Sequence, residues 1–200
     1  LTQWVTEHPK AHLPVTFDNW FTQPDFCHFL DQDLKLAYVG TLVSTDKVNL
    51  RTGQLLLGDF AERLKQEHLM ALSHGQKPIF QRIRIPFKGT HEIYYSYCNT
   101  HRLPNFGRQR LVINYRQAYL SDNPTFYLSN RLFWHAAGIT RIRRHRWLVE
   151  VYHEEGKAEG LDQYQLRDFC AIQRHVALVA VVYSLLRAAQ HDHVLRTKLQ

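Results

Sequence analysis

The feature that most constrains this fold is a double change of hydrophobic period. Over residues 60–73 the apolar positions recur at helical spacing, with Phe60, Leu64, His68 and Leu72 on one line. At Ile79 the pattern becomes alternation. Residues 79–87 read Ile-Phe-Gln-Arg-Ile-Arg-Ile-Pro-Phe, and similar runs follow at 92–98, 110–115 and 125–129. Gly89, Pro104-Asn105, Gly107 and Asn123-Pro124 punctuate them as turns. From about Ala136 helical spacing returns and persists. These switches exclude an all-helical bundle and predict a β-rich module inserted between two α/β or helical parts.

The flanks fill in that outline. Residues 1–8 read as part of a helix. Residues 13–17, Leu-Pro-Val-Thr-Phe, read as a short buried strand that delivers Asp18 to its C-terminal edge. Residues 24–33 predict a helix with Phe26, Phe29 and Leu30 on one face, and residues 36–43 a second strand. Strand, helix, strand suits an α/β core. Residues 138–159 predict one helix ending near Gly160. Residues 164–190 predict another, with Phe169, Ile172, Val176, Val179, Tyr183 and Leu186 spaced at three or four. Three parts result: 1–75, 76–133 and 134–200.

Composition matters where it excludes. A hydrophobic fraction of 44% and a charged fraction of 22% in 200 residues argue against disorder and low complexity. The length suffices for a full core. The longest apolar stretch, 176–186, is stopped by Arg187 and counts as too short to span a bilayer, so no membrane partner is expected. No signal peptide is visible, and the chain starts at Leu1 rather than Met; a trimmed start or a piece of a longer protein is the expected reason. Cys27, Cys98 and Cys170 lie far apart in apolar surroundings without a CxxC pair. They predict buried free thiols in a reducing cytoplasm rather than zinc. His191-Asp-His193 reads as solvated tail and His175 as helix packing.

The charge balance is the positive clue. Lys plus Arg number 25 against 18 acids, a net +7 with an isoelectric point near 9.4. Such a domain commonly meets an anion, nucleic acid above all. The cations concentrate in Arg141-Ile-Arg-Arg-His-Arg-Trp-Leu-Val-Glu150 and its continuation to Lys157. At about 100° per residue on one helix, Arg143, Arg146, Glu150 and Lys157 fall within about 60° of arc. Trp147, Val151 and Ala158 flank them on one side, Ile142 and Val149 on the other. The plain reading is a solvated face with an i, i+4 pair between Arg146 and Glu150. The alternative is that three cations around one acid await an outside anion. A metal-bound phosphodiester would supply it, with Glu150 as ligand.

The spacing Arg143-x2-Arg146-x3-Glu150-x6-Lys157 resembles the Tyr-x2-Arg-x3-Glu-x6-Lys signature of DDE transposases from bacterial insertion sequences, with Arg in the Tyr position. The run from Gly160 to His175, the segment Tyr127-Leu-Ser-Asn130, and Pro14-Val-Thr-Phe-Asp18-Asn-Trp-Phe21 are similar to that family as well. The resemblance implies an α/β, ribonuclease-H-like fold interrupted by a β-rich insertion before the Glu helix. It implies two-metal phosphoryl transfer, in which three carboxylates hold two Mg²⁺ (or Mn²⁺) ions roughly 3.5–4 Å apart. Asp18 stands as the second catalytic acid and Glu150 as the third. Arg146 and Lys157 grip transposon-end phosphates, with Arg143 joining them in place of Tyr. Trp20, beside Asp18, could stack on a base, but a core aromatic is the commoner role and the first expectation.

The family's first Asp has no counterpart, since Glu7, the one acid before Asp18, falls in a helix. The expectation is therefore a C-terminal portion of a transposase, with a truncated ribonuclease-H-like fold and an incomplete two-metal site. It is inactive alone, works on DNA (transposon ends and target) as a homodimer in a transposition complex, and resides in the cytoplasm with the nucleoid. A non-catalytic DNA-binding remnant that interferes with full-length transposase is the second reading. It rests on the basic stripes Arg82/Arg84/Lys88 and Arg108/Arg110/Arg116, whose plain role is solvated strand faces. An unrelated nuclease of the same fold is the third.

Overall fold

The computed structural model describes residues 1–8, 13–87, 89–158, 160–162 and 168–191. The chain falls into two compact units, Leu1–His145 and Arg146–Gln200. The first is mixed α/β around one eight-stranded sheet; the second is helical.

In the first unit, α1 (Thr2–Glu7) precedes β1 (Val15–Thr16), and a 3₁₀ turn (Asn19–Phe21) leads to α2 (Pro24–His28). Pro24 at the first turn of α2 costs no hydrogen bond there and presets the backbone for the helix. α2 runs into a wider π turn, Phe29–Asp33, where Leu34 N–H donates to Phe29 O. Then come β2 (Tyr38–Leu42), β3 (Lys47–Leu50), β4 (Gly53–Leu56), α3 (Leu57–Ser73), β5 (Gln81–Phe87), β6 (Thr90–Leu103), β7 (Gly107–Tyr115), β8 (Thr125–Ser129) and α4 (Ala136–His145).

The sheet order is β1-β2-β8-β7-β6-β3-β4, with β5 also paired to β6. β1 and β2 are parallel and the other pairs antiparallel, so the sheet is mixed. The β-rich stretch assigned to 76–133 shares this sheet with strands of 1–75. β8 pairs with β2, placing Tyr127 opposite Thr41, and β6 meets β3 at Asn49 and Arg102. The hairpin β3–β4 is an element outside the predicted runs, since the alternation of Lys47-Val-Asn-Leu50 lasts only four residues.

Side chains alternate across the sheet because successive Cβ atoms point to opposite faces. Tyr38, Leu111, Ile113, Phe126 and Leu128 point to one face and pack with Cys27 and Leu30 of the α2 segment and Leu57, Phe60 and Leu64 of α3. Val39, Val112 and Tyr127 point to the other and pack with Ala136 and Ile139 of α4. Residues 111–115 of β7 are buried without a break, as expected for a central strand covered on both faces. A buried polar contact fastens α4: Asn114 Nδ2 donates to Thr140 Oγ1 at 2.9 Å while its Oδ1 accepts from Ser96. In α3, Phe60, Leu64 and His68 face the core as the period predicts, but Leu72 is 51% exposed.

In the second unit, α5 (Trp147–Ala158) precedes α6 (Phe169–His191). They meet edge to face at Tyr152 and Tyr183, with Gly156 against Leu161 and Val179. The expected single helix over 138–159 is instead α4 and α5, with Arg146 between them. The Arg146 carbonyl accepts from Val149 N–H at 2.9 Å, an i→i+3 bond that starts α5 afresh.

α6 also corrects the length argument about membranes. Phe169–Ala189, with mean hydropathy 1.7, is long and apolar enough to cross a bilayer by length and composition. The apolar count stopped at Arg187 and began at Val176, whereas the helix continues through Phe169, Ala171 and Ile172. Residues 164–167 of the predicted helix, and Lys88 and His193, lie outside the described residues.

Candidate functional site

Asp18 follows the last residue of the β1 run, where the parallel pair β1–β2 ends. Three contacts fix it. Phe17 N–H donates to Val39 O at 3.2 Å, Thr22 Oγ1 donates to the Asp18 carbonyl at 2.7 Å, and Trp20 N–H donates to Asp18 Oδ1 at 3.1 Å. Asp18 thus caps the 3₁₀ turn, as short acids do at helix starts. Gly40 on β2 makes the approach feasible: a Cβ there would lie 2.8 Å from the Phe17 ring and 2.9 Å from Thr22 Oγ1. The Asp18 carboxylate is half-buried at the mouth of this turn.

Arg143 reaches the same end of the sheet from α4. Its Nε donates to Thr41 Oγ1 at 2.6 Å, and Thr41 Oγ1 donates in turn to Phe17 O at 3.4 Å. Its guanidinium lies 6.0 Å from the centre of the Tyr127 ring. The fold therefore brings together three sequence-distant features: the Asp18 segment, the Tyr127 segment and Arg143. Asn130, last of the Tyr127-Leu-Ser-Asn130 run, has a holding role. Its Oδ1 accepts from Tyr38 N–H, and its Nδ2 donates to Asp31 Oδ1 and Leu36 O.

Trp20 departs from the buried-aromatic expectation. It is 80% exposed, because the 3₁₀ turn that Asp18 caps points it away from the core. Arg146, Glu150 and Lys157 belong to the second unit. Arg146 forms an ion pair with Glu150 in the first turn of α5, and Lys157 lies exposed in the last. Glu150 and Lys157, seven apart, share a face of α5. The period that aligns them with Arg143 assumes one unbroken helix, whereas α4 ends at His145 and α5 begins at Trp147.

Hard carboxylate oxygens are the donors that Mg²⁺ prefers, so Asp18 and Glu150 suit that ion by chemistry. Among the described residues no group of three or more His, Cys, Asp or Glu stands ready to hold a metal.

Two basic stripes separate by environment. Arg82, Arg84 and Arg108 are exposed. Arg110 instead donates to Trp134 O at 3.0 Å and to Thr100 Oγ1 at 3.4 Å. Arg116 donates to the Tyr94 hydroxyl at 3.0 Å and pairs with Glu92. Glu92 also takes a two-pronged contact from Arg144, at 2.7 and 2.8 Å, and Arg144 lies 4.0 Å over the Phe87 ring. Burial alone would raise the Glu92 carboxyl. The Tyr94 and Arg144 hydrogen bonds and the charges of Arg116 and Arg144 outweigh it and hold the group below the usual range. This cluster, invisible to spacing because Glu92 and Arg144 are 52 residues apart, clamps α4 to the β5–β6 hairpin.

The cysteines divide as well. Cys27 is fully buried, and burial pushes its thiol up to about 12 against the opposing Tyr38 hydrogen bond. Cys98 is half-buried with its thiol raised by burial, whereas Cys170 is exposed, because α6 turns that position outward. His175 Nε2 lies 2.8 Å from Gly160 O, a packing contact. No protein-family model matches the sequence, and no curated protein matches it.

Proposed function

We propose that this chain is the part of a DDE-type transposase, ribonuclease-H-like in fold, that carries the second catalytic Asp and the catalytic Glu. The observation that supports the reading is the meeting of the Asp18 segment, through Phe17 and Thr41, with Tyr127 and Arg143 at the end of the β1–β2 pair, three sequence-distant features of the family resemblance. In this reading Asp18 and Glu150 bind Mg²⁺ or Mn²⁺. The bound metals would activate a water or 3′-hydroxyl and stabilise the leaving oxygen of a phosphodiester. Arg143, Arg146 and Lys157 hold backbone phosphates, and the exposed Trp20 offers a stacking surface for a base. The partners are transposon ends and target DNA, with a second copy of the chain in the transposition complex. The setting is the cytoplasm, at the nucleoid.

With two of the three acids, the 200 residues alone bind DNA but do not cut it. The test is a labelled duplex from the flanks of the chain's own gene, titrated at several salt concentrations with Mg²⁺ or Mn²⁺. The expected result is salt-sensitive binding, a shallower salt slope in Arg143→Gln, and intact strands. Metal-dependent cleavage that disappears in Glu150→Gln would overturn the incomplete site. Absence of salt-sensitive binding would sink the DNA reading.

A non-catalytic DNA-binding remnant is the second reading. It is favoured by the Arg146–Glu150 ion pair, which occupies the proposed metal ligand. Suppression of transposition when the chain is added to full-length transposase would support it.

A further inference from the structure

A groove of about 970 Å³ in the first unit lies between β5, the turn before α4, and α4 itself. Its polar wall is cationic. Arg84 comes from β5, Arg141 and His145 from α4, and His135 from the turn, and among the described residues no acid lines it. Its other wall is aromatic, Phe133 and Trp134, with Phe133 75% exposed.

Several other arginines of this unit are held by partners: Arg144 and Arg116 by Glu92, and Arg110 by Trp134 O. Arg84 and Arg141 form no ion pair among the described residues. Here, then, part of the net positive charge is left without a counter-charge, beside an exposed ring. An exposed aromatic ring next to unneutralised guanidinium groups is the pairing that binds an unpaired nucleotide, base on the ring and phosphate on the cations.

The aromatic wall is also held in place. Trp134 O accepts from Arg110 Nε at 3.0 Å, and Trp134 N–H donates to Arg131 O at 3.1 Å, so the turn carrying Phe133 is anchored to β7. The floor is open at Gly138. A Cβ there would meet nothing within 4 Å, so a larger side chain can be placed at this position without a clash.

We propose that this groove binds single-stranded DNA, stacking a base on Phe133 while Arg84 and Arg141 contact the adjoining phosphates. The choice of DNA over other polyanions rests on the function proposed above; the single-stranded preference rests on the groove. A duplex keeps its base faces stacked internally and cannot use the Phe133 ring.

The test uses fluorescence anisotropy with a short labelled oligothymidylate, its duplex with oligoadenylate, and oligouridylate, across a salt series. Phe133→Leu is expected to weaken oligothymidylate binding about tenfold, in the range of one lost base stack. Phe133→Tyr, which keeps the ring, should restore it. The pair Arg84→Gln with Arg141→Gln should lower the salt slope by about 1.4, two phosphates at about 0.7 each on a single strand. Gly138→Leu should block the groove while improving helix propensity, so its loss of binding does not reflect unfolding.

Oligothymidylate affinity unchanged in Phe133→Leu and Gly138→Leu would overturn the proposal. So would equal use of the groove by the duplex, or tighter binding of oligouridylate. Duplex binding that still responds to Arg143→Gln would show that only the groove assignment has failed. Loss of all nucleic-acid binding would show that the DNA reading has failed with it.

Discussion

The two units handle their apolar residues in opposite ways. In Leu1–His145 the sheet is covered on both faces, and Leu111, Val112, Ile113 and Leu128 are fully buried. In Arg146–Gln200, α6 carries at least as apolar a sequence, yet Leu178, Val181 and Leu185 are each more than half exposed. α5 covers little more than the Val179 line of it. A sheet buries residues by alternation on two faces, so each covering helix closes one of them. A helix that is apolar all round needs partners on every side, and one neighbour supplies only a stripe. Stability should therefore reside in the sheet unit.

The strongest test of that contrast is Leu111→Ala. Removing a fully buried Leu from the central strand should cost about 3 kcal/mol in denaturant unfolding. A value near zero would break the comparison at its firm end. Next in size is Glu92→Gln, which strands Arg144 and Arg116 and loosens α4 from the β5–β6 hairpin. About 2 kcal/mol is expected, since hydrogen bonds to charged groups are the strong ones. Hydrogen exchange should quicken in α4 before it does in β7.

A pH series sharpens the same point. Burial lowers the His68 and His101 pKa values, with the Arg110 charge adding to the effect at His101. His68 Nδ1 accepts from Phe80 N–H at 3.1 Å, a bond that needs the neutral ring. A depressed folded pKa means stability that is complete above the unfolded value of about 6.5 and lost as pH falls below it. Glu92, also depressed, adds a second loss below about pH 4.3. Unfolding free energy should thus drop from pH 7 to 5, and His68→Asn, which keeps an acceptor but cannot titrate, should flatten part of that drop. The smallest effect is expected for Leu185→Ala, within about 0.5 kcal/mol, because the side chain is 64% exposed. A cost equal to that of Leu111→Ala would mean that α6 is covered in solution.

The legible parts of the fold were those whose pattern is long or sharply bounded. Thr125–Ser129, Gln81–Phe87 and the α3 run lie close to where alternation and period put them. The β3–β4 hairpin carries little signal because alternation over four residues is too short to separate from chance. The break at Arg146 escaped because nothing in Arg-His-Arg-Trp opposes a helix; the interruption accompanies α4's anchoring through Thr41 and Glu92, both remote in sequence. At the candidate site, Asp18 stands out in the sequence because it ends an apolar run, and Arg143 because of its spacing to Glu150. Thr41 and Gly40, which join Arg143 to the Asp18 strand and make room for Phe17, carried no signal of their own.

What the sequence determined by itself is local. It set where the period changes, which faces are apolar, which residue types could hold a metal or a phosphate, and how much positive charge must find a partner. Only the tertiary structure decided pairing. It joined β2 to β8, so that strands read as two modules became one sheet. It tied some arginines to Glu92 and to backbone carbonyls while leaving Arg84 and Arg141 beside an exposed Phe133. The reason is physical: periodicity records which side of an element is buried, whereas hydrogen-bond and charge partners depend on which elements become neighbours, and that is settled by long-range packing.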